Sequence, residues 1–273
     1  MLRLPNRAIL RLTGPDTLAL LERTVTHTVA DWREGEARYG ALLTPQGKVI
    51  ADYIAHRTAD GVLIDVHEDA AEDLLKRLTM FRLRADVEIV RDEELASVSD
   101  ETGEDDPRSA RLFWRGVVPI AEVTREVDPA IWQAKRLAAG VSEWGEDYRA
   151  GEVFPTDINM DRMDGIDYKK GCFVGQEVAS RMKRRGKIRK RTIRILGSTL
   201  IKGALVIGGA EVGTITSADA QGTRGLALVR LDRLRRAIGL SLPFTSSGGP
   251  VSFEFEPWTE DEMAALAEEG ADE

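Results

Sequence analysis

Lys169-Lys170-Gly171-Cys172-Phe173-Val174-Gly175-Gln176-Glu177 holds the only cysteine in a chain of 273 residues. Two lysines precede that cysteine, two glycines bracket it and a Gln-Glu pair follows. Glycine reaches backbone angles and close approaches that other residues avoid. Positive charge beside a thiol favours the thiolate, the reactive form of cysteine. By type alone a lone cysteine is commonly a small buried hydrophobe. In this setting the expectation is a working thiol at Cys172, with Lys170 tuning it and Gly171 and Gly175 shaping its loop. Gln176 and Glu177 stand at the start of an expected helix. They either serve its dipole or orient the cysteine loop, and the two roles are compatible.

Outward from the loop, nine cationic residues lie between positions 181 and 194 with no acid among them. The net charge is −8, so with +9 in that segment the rest of the chain carries −17. Such asymmetry fits a local anion site better than a broad nucleic-acid face. No aromatics are interleaved for base stacking, so no nucleic-acid partner is expected. Apolar residues make up 42% of the chain, as in globular domains. No apolar run nears the roughly 20 residues that span a bilayer, and the first residues lack a signal-peptide pattern. One cysteine rules out an intramolecular disulfide, in keeping with a reducing compartment. The expected placement is the cytoplasm, with no membrane partner.

Periodicity divides the chain. Residues 8–13 read as a strand, with Thr13 capping a helix that carries Leu18, Leu21 and Val25. Residues 39–43 and 48–56 read as strands around a Thr44-Pro45-Gln46-Gly47 turn, and 62–66 as another. Residues 69–81 form an amphipathic helix, and 87–90 close an α+β unit. The acid-rich stretch 100–108 reads as an exposed loop. A strand or two is expected in 112–118 and a helix over 129–139, stopped by Gly140. Residues 141–167 are irregular, as functional segments often are. From 191 onward, short β-like runs separated by glycines point to a small barrel or sandwich. The expected division is 1–190, then 191–257, then an acidic segment 258–273 that is either a short helix or a frayed tail.

Lys170-Gly171-Cys172-Phe173-Val174-Gly175-Gln176-Glu177 resembles the signature of the YgfZ family. These are folate-binding proteins that support iron–sulfur cluster assembly or maintenance. They are related to the aminomethyltransferase (T-protein) of the glycine cleavage system. Thr13-Gly14-Pro15-Asp16, Leu42-Leu43-Thr44-Pro45-Gln46-Gly47-Lys48 and the run from Arg181-Met182-Lys183 to Gly186 resemble the family too. The resemblance implies an α+β fold of two lobes that can interleave in sequence, plus a C-terminal β-barrel, around a central cavity. It implies tetrahydrofolate, or a one-carbon derivative, as ligand and iron–sulfur client or assembly proteins as partners.

The resemblance also points to candidate ligand residues. Asp157 falls where T-proteins place an acid against the pterin ring, and a carboxylate accepts paired N–H donors well. The plainer reading of Asp157 is a turn residue. Asn159 and Arg136 are assigned to the same wall, with a helix-surface ion pair as the alternative for Arg136. Arg181 and Lys183 are expected near the negatively charged glutamate tail of the folate. T-proteins carry an aspartate pair after the glycine turn, whereas this chain has Ala51 and Asp52. That loss weakens the alternative of a T-protein-type transferase, and the sequence implies no turnover. Iron–sulfur clusters generally need four protein ligands, so one cysteine does not make a cluster scaffold. His27, His56 and His67 have no metal-ligand spacing, and no metal site is expected.

Overall fold

The computed structural model describes residues 1–100, 106–184 and 188–269. The chain begins with β1 (Leu2–Arg3), β2 (Arg7–Thr13) and α1 (Thr17–Thr24). Then come β3 (Ala37–Leu43), β4 (Val49–Arg57), β5 (Gly61–His67), α2 (Glu68–Arg82) and β6 (Glu88–Asp92). Strands β2 to β6 form an antiparallel sheet in the order β3-β4-β5-β2-β6. Leu74 and Leu78 of α2 and Leu20 and Leu21 of α1 are fully buried against it.

A second sheet follows with β7 (Leu95–Asp100), β8 (Trp114–Pro119) and β9 (Arg125–Glu126), and then α3 (Pro129–Ala139). Its order, β8-β7-β1-β9, recruits the first strand of the chain. The irregular stretch after α3 returns to the first lobe, where Tyr148, Ile158, Met160 and Phe173 join the main core. The two lobes therefore interleave in sequence.

After α4 (Gln176–Arg184) a closed barrel is built from β10 (Lys190–Gly197), β11 (Gly203–Ile207), β12 (Ala210–Ala218), β13 (Arg224–Arg230), β14 (Phe244–Ser246) and β15 (Gly249–Glu254). Helix α5 (Leu231–Gly239) links β13 to β14, and α6 (Pro257–Glu269) follows the barrel. Each barrel strand turns alternate residues inward. Ile193, Ile195, Leu205, Ile207, Ala227 and Val229 form its core.

Several expectations need correction. Thr13 does not cap α1. The cap position is Asp16, whose Oδ2 instead accepts the Asp86 N–H at 2.8 Å. Strand β7 escaped the reading because Ser97 and Ser99 are buried polar residues in a half-apolar run. The supposed exposed loop ends in a buried ion pair, Asp106 with Arg108 at 2.8 and 2.9 Å. Residues 101–105 of that stretch lie outside the described residues. Helix α5 and strand β14 were also missed. The stretch from Pro257 is a helix through Glu269, and residues 270–273 lie outside the description.

The lobes meet over buried charge. Asp65 of β5 receives the Arg7 Nε at 2.6 Å, the Arg115 Nε at 2.7 Å and the Ser97 hydroxyl at 2.6 Å. Arg7 and Asp65 belong to the first sheet, Ser97 and Arg115 to the second. Burial raises the proton affinity of the Asp65 carboxyl, but the Arg115 and Arg7 guanidiniums outweigh it and hold the group well below the usual carboxylate range.

Candidate functional site at the Cys172 loop

The loop carrying Cys172 is pinned at both ends. At its entry, the Asp167 side chain accepts the Lys169 N–H at 2.7 Å and the Lys170 N–H at 3.3 Å. Asp167 in turn donates its N–H to the Thr26 carbonyl at 2.9 Å. The Lys170 ammonium is buried and donates to the carbonyls of Val25 at 2.9 Å and His27 at 2.5 Å, with Glu22 at 3.5 Å. These carbonyls lie just beyond the last turn of α1, where a cation is welcome. The lysine expected to tune the thiol is therefore spent on holding the loop's base.

The exit of the loop rests on the β3–β4 turn. Gly175 has φ +80°, and a Cβ there would lie 2.5 Å from the Thr44 carbonyl oxygen and 3.0 Å from the Leu43 Cβ. Gly47, at φ +79°, packs under Val178 in the same contact. Two motifs far apart in sequence thus form one joint, and glycine is required on both sides of it. Gly171 differs, because it has no positive φ and a Cβ there would meet nothing within 4 Å. Of the two glycines expected to shape the loop, Gly175 sits where a Cβ would clash and Gly171 does not.

Gln176 closes the loop. Its side-chain amide donates to the Lys170 carbonyl at 3.2 Å, and its N–H reaches the Phe173 carbonyl at 3.1 Å. Glu177 points to solvent and pairs with Arg181 one turn on. Cys172 is left exposed at the tip. It borders an open hollow of about 570 Å3 shared with Tyr168, Phe173, Gln176, Glu177, Ser180 and Lys183. The Lys183 ammonium stands 4.1 Å from the centre of the Tyr168 ring, a cation–π distance. Among the described residues the buried Tyr168 hydroxyl has no hydrogen-bond partner, and burial pushes its phenol upward. Sequence reading missed Tyr168, since nothing in its local pattern marks it as a neighbour of the cysteine.

The other candidates lie elsewhere. Asp157 is buried and accepts the Phe154 N–H at 2.9 Å, closing a turn with its own N–H on the Phe154 carbonyl at 3.0 Å. Burial raises its carboxyl above the ordinary value. Asn159 donates to the Thr192 carbonyl at 2.8 Å, while its buried Oδ1 has no partner among the described residues. Asn159 borders a second hollow, of about 360 Å3, between the two lobes and the barrel. Arg136 is not on that wall. It is 1% exposed, inside the second lobe, and holds Asp147 at 2.5 Å, Gln133 at 2.8 Å and the Val141 carbonyl at 3.2 Å. Arg181 and Lys183 flank the Cys172 loop, whereas the hollow bordered by Asn159 is lined by none of the loop's residues.

The basic segment is not one patch. Arg191 is wholly buried between Asp161 and Glu262, and Arg194 pairs with Glu256 at 3.0 Å. Positions 185–187 of the segment, including Gly186 of the quoted run, lie outside the described residues. Asp52 is sequestered as well, because Tyr39 donates to it at 3.0 Å and Tyr148 at 2.6 Å. His27 is a core histidine, its Nδ1 3.0 Å from the Thr28 carbonyl, and burial lowers it to about 4. Among the described residues no three His, Cys, Asp or Glu side chains are grouped to hold a metal ion, and no helix is long and apolar enough to cross a membrane.

Residues 189–261 match the family described as CAF17, C-terminal beta-barrel domain. The iron-sulfur cluster assembly factor IBA57, mitochondrial, of Homo sapiens is 28% identical over 285 residues, covering 85% of this chain and 78% of that protein. The IBA57 homolog of Mycosarcoma maydis is 28% identical over 223 residues, covering 70% of this chain and 55% of the relative. That of Pyricularia oryzae is 30% identical over 216 residues, with the same coverage of 70% and 55%. The chain thus spans about half the length of these fungal relatives. The crystal structure of the glycine cleavage system aminomethyltransferase T from Bartonella henselae superposes with a TM-score of 0.72 at 13% identity, covering 92% of this chain and 84% of the other.

The cytoplasmic placement expected from composition is overturned, because these assembly-factor relatives are mitochondrial. A single cysteine and the lack of a long apolar run do not separate two reducing compartments. The chain is a relative of the IBA57 (CAF17) iron–sulfur cluster assembly factors, built on the aminomethyltransferase fold.

Proposed function

We propose that this chain serves the assembly or maintenance of iron–sulfur clusters in client enzymes, as a tetrahydrofolate-binding accessory protein of the YgfZ kind. Its working group is the Cys172 thiol. The reading is carried by the exposure of Cys172 on a loop fixed at both ends. Fixing the base and freeing the tip presents one sulfur to a partner at little entropic cost.

One thiol cannot ligate a cluster alone. Cluster contact is therefore shared with an assembly or client protein, or the Cys172 thiolate attacks a partner's disulfide, forming a mixed disulfide and releasing the partner's other sulfur as a thiol. Tyr168, Phe173 and Lys183 give the adjoining hollow an apolar wall with one cation, a surface that suits a protein partner.

Folate is assigned to the hollow between the lobes. The fit rests on Asn159, whose Oδ1 lacks a partner among the described residues, beside a hollow large enough for a small ligand. Asp157 is two residues away, with one carboxylate oxygen spent on Phe154. Tetrahydrofolate would supply one-carbon chemistry when bound, and Asp157 and Asn159 would hold and orient it. Arg136 does not fit this role, being committed to Asp147, Gln133 and Val141. The T-protein-type transferase reading loses support, since Asp52 is occupied by two phenols and its neighbour is Ala51.

Two measurements test the proposal. Cells lacking this protein should lose activity of iron–sulfur enzymes and regain it with the full chain; unchanged activity in such cells contradicts the assembly role. Calorimetric titration with tetrahydrofolate should give saturable binding that Asp157→Ala weakens. Absence of binding removes the folate half, and full affinity in the variant returns Asp157 to its turn.

A further inference from the structure

Helix α5 and the β11–β12 hairpin frame a third hollow, of about 490 Å3, on the barrel. It shares no residue with the hollow at Cys172 or with the one bordered by Asn159. Helical spacing lines up Arg233, Arg236 and Ala237 of α5 with Leu240 just past its end, and this row is one wall. Ile207 and Val212, both buried, form the floor. The far wall is the hairpin turn Gly208-Gly209, whose φ values of +53° and +85° suit a tight two-residue connection. With no side chains, that turn keeps the wall low.

The frame is rigid. The Ser241 N–H is donated to the Ile238 carbonyl at 2.9 Å and the Leu242 N–H to the Ala237 carbonyl at 3.1 Å, which fixes the end of α5. A Cβ on Gly208 would lie 2.8 Å from the Leu242 Cδ1, so the turn and the chain beyond α5 touch. Leu240, in contrast, is 60% exposed.

The charge of this groove is uncompensated. Arg233 donates to the Glu211 backbone carbonyl at 2.5 Å, a bond that orients the guanidinium without neutralising it. Among the described residues no carboxylate is paired with Arg233 or Arg236. Elsewhere on the barrel Arg191, Arg194 and Arg230 each hold an acid. Glu211 is the one acid on the lining, so two arginines against one glutamate leave the groove positive in a chain of net charge −8.

We propose that this groove docks an acidic amphipathic helix of a partner protein. The apolar stripe of that helix lies on Leu240, Leu242 and the floor, and its carboxylates meet Arg233 and Arg236. Charge complementarity selects the acid. The form of the partner follows from the barrel, which is closed, so a partner has no strand edge to extend. A concave groove takes a ridge of side chains, which a flat bilayer does not offer. The surface is separate from the thiol, so one partner can be held here while Cys172 stays free. The inference therefore stands apart from the folate and thiol readings.

The test uses the full chain and a fluorescein-labelled helical peptide with leucines at the i, i+3, i+4 and i+7 spacing and glutamates between them. Anisotropy should show saturable binding that weakens as salt is raised. The double variant Arg233→Gln, Arg236→Gln and the single variant Leu240→Ser should each weaken it about tenfold or more. Neither should lower the melting temperature, since all three side chains are exposed. Cys172→Ser should bind the peptide with unchanged affinity. The inference is overturned by no saturable binding, by equal binding of a peptide with lysines in place of the glutamates, or by unchanged affinity in both groove variants. Sedimentation of the chain with phosphatidylglycerol vesicles, lost in the same variants while the peptide fails to bind, overturns it in favour of a membrane surface. Loss of peptide binding in Cys172→Ser also overturns it, because the two surfaces would then be one.

Discussion

Two charged regions of this molecule look alike in sequence and behave oppositely in space. One is the seam between the lobes, where Arg7, Arg115 and Ser97 converge on Asp65 and Arg108 grips Asp106. The other is the loop and helix from Lys169 to Lys183, which carries the exposed Cys172. In the seam each named ion is paired with a buried neighbour, and removing a partner strands a buried ion. In the loop Lys170 is spent on the base and Glu177 pairs with Arg181 beyond it, while the Cys172 tip faces solvent. A cation's place in the sequence does not separate architecture from function; what it is bonded to does.

The largest expected effect therefore lies in the seam. Asp65→Ala leaves two buried guanidiniums short of their shared acceptor and should cost about 3–5 kcal/mol, read by urea denaturation. A loss below about 1 kcal/mol would mean that the seam does not hold the lobes together.

Acid tests the buried groups next. His27 titrates at about 4 in the fold because burial disfavours its charged form. Its unfolded value is near 6.5, so the folded chain binds fewer protons, and stability falls as pH drops from about 6.5 toward 4. The melting temperature should fall across that window, and His27→Phe should flatten the fall. A flat profile in the wild type would contradict the buried, neutral assignment.

Within the loop the two glycines sharpen the contrast. Gly175→Ala forces a Cβ against Thr44 at a positive φ and should cost about 1–3 kcal/mol. Gly171→Ala meets open space and should stay within about 0.5 kcal/mol. Equal effects, read by thermal unfolding, would mean that the loop is not anchored at the β3–β4 turn.

Much of this arrangement was legible in the sequence, and the gaps have physical causes. The helix over Pro129–Ala139 carried its own stop in Gly140, which adopts φ +75°. The barrel was visible in short apolar runs between glycines. Lys170 was misread because a long flexible side chain beside a thiol can turn to either side, and its acceptors lie 143 and 145 residues away. Arg191 read as one of nine cations at a local anion site, yet its acids sit 30 and 71 residues off. Arg136 was given a ligand wall because its spacing reveals the helix but not the burial. Local pattern thus revealed element type and the cysteine loop, while the fate of each charge depended on contacts distant in sequence.

The most direct test of the account concerns Cys172 itself. Cys172→Ser, expressed in cells lacking the wild-type chain, should melt within about a degree of the wild type, as an exposed substitution does, and fail to restore iron–sulfur enzyme activity. Full restoration by a folded Cys172→Ser protein would contradict the claim that the exposed thiol is the working group.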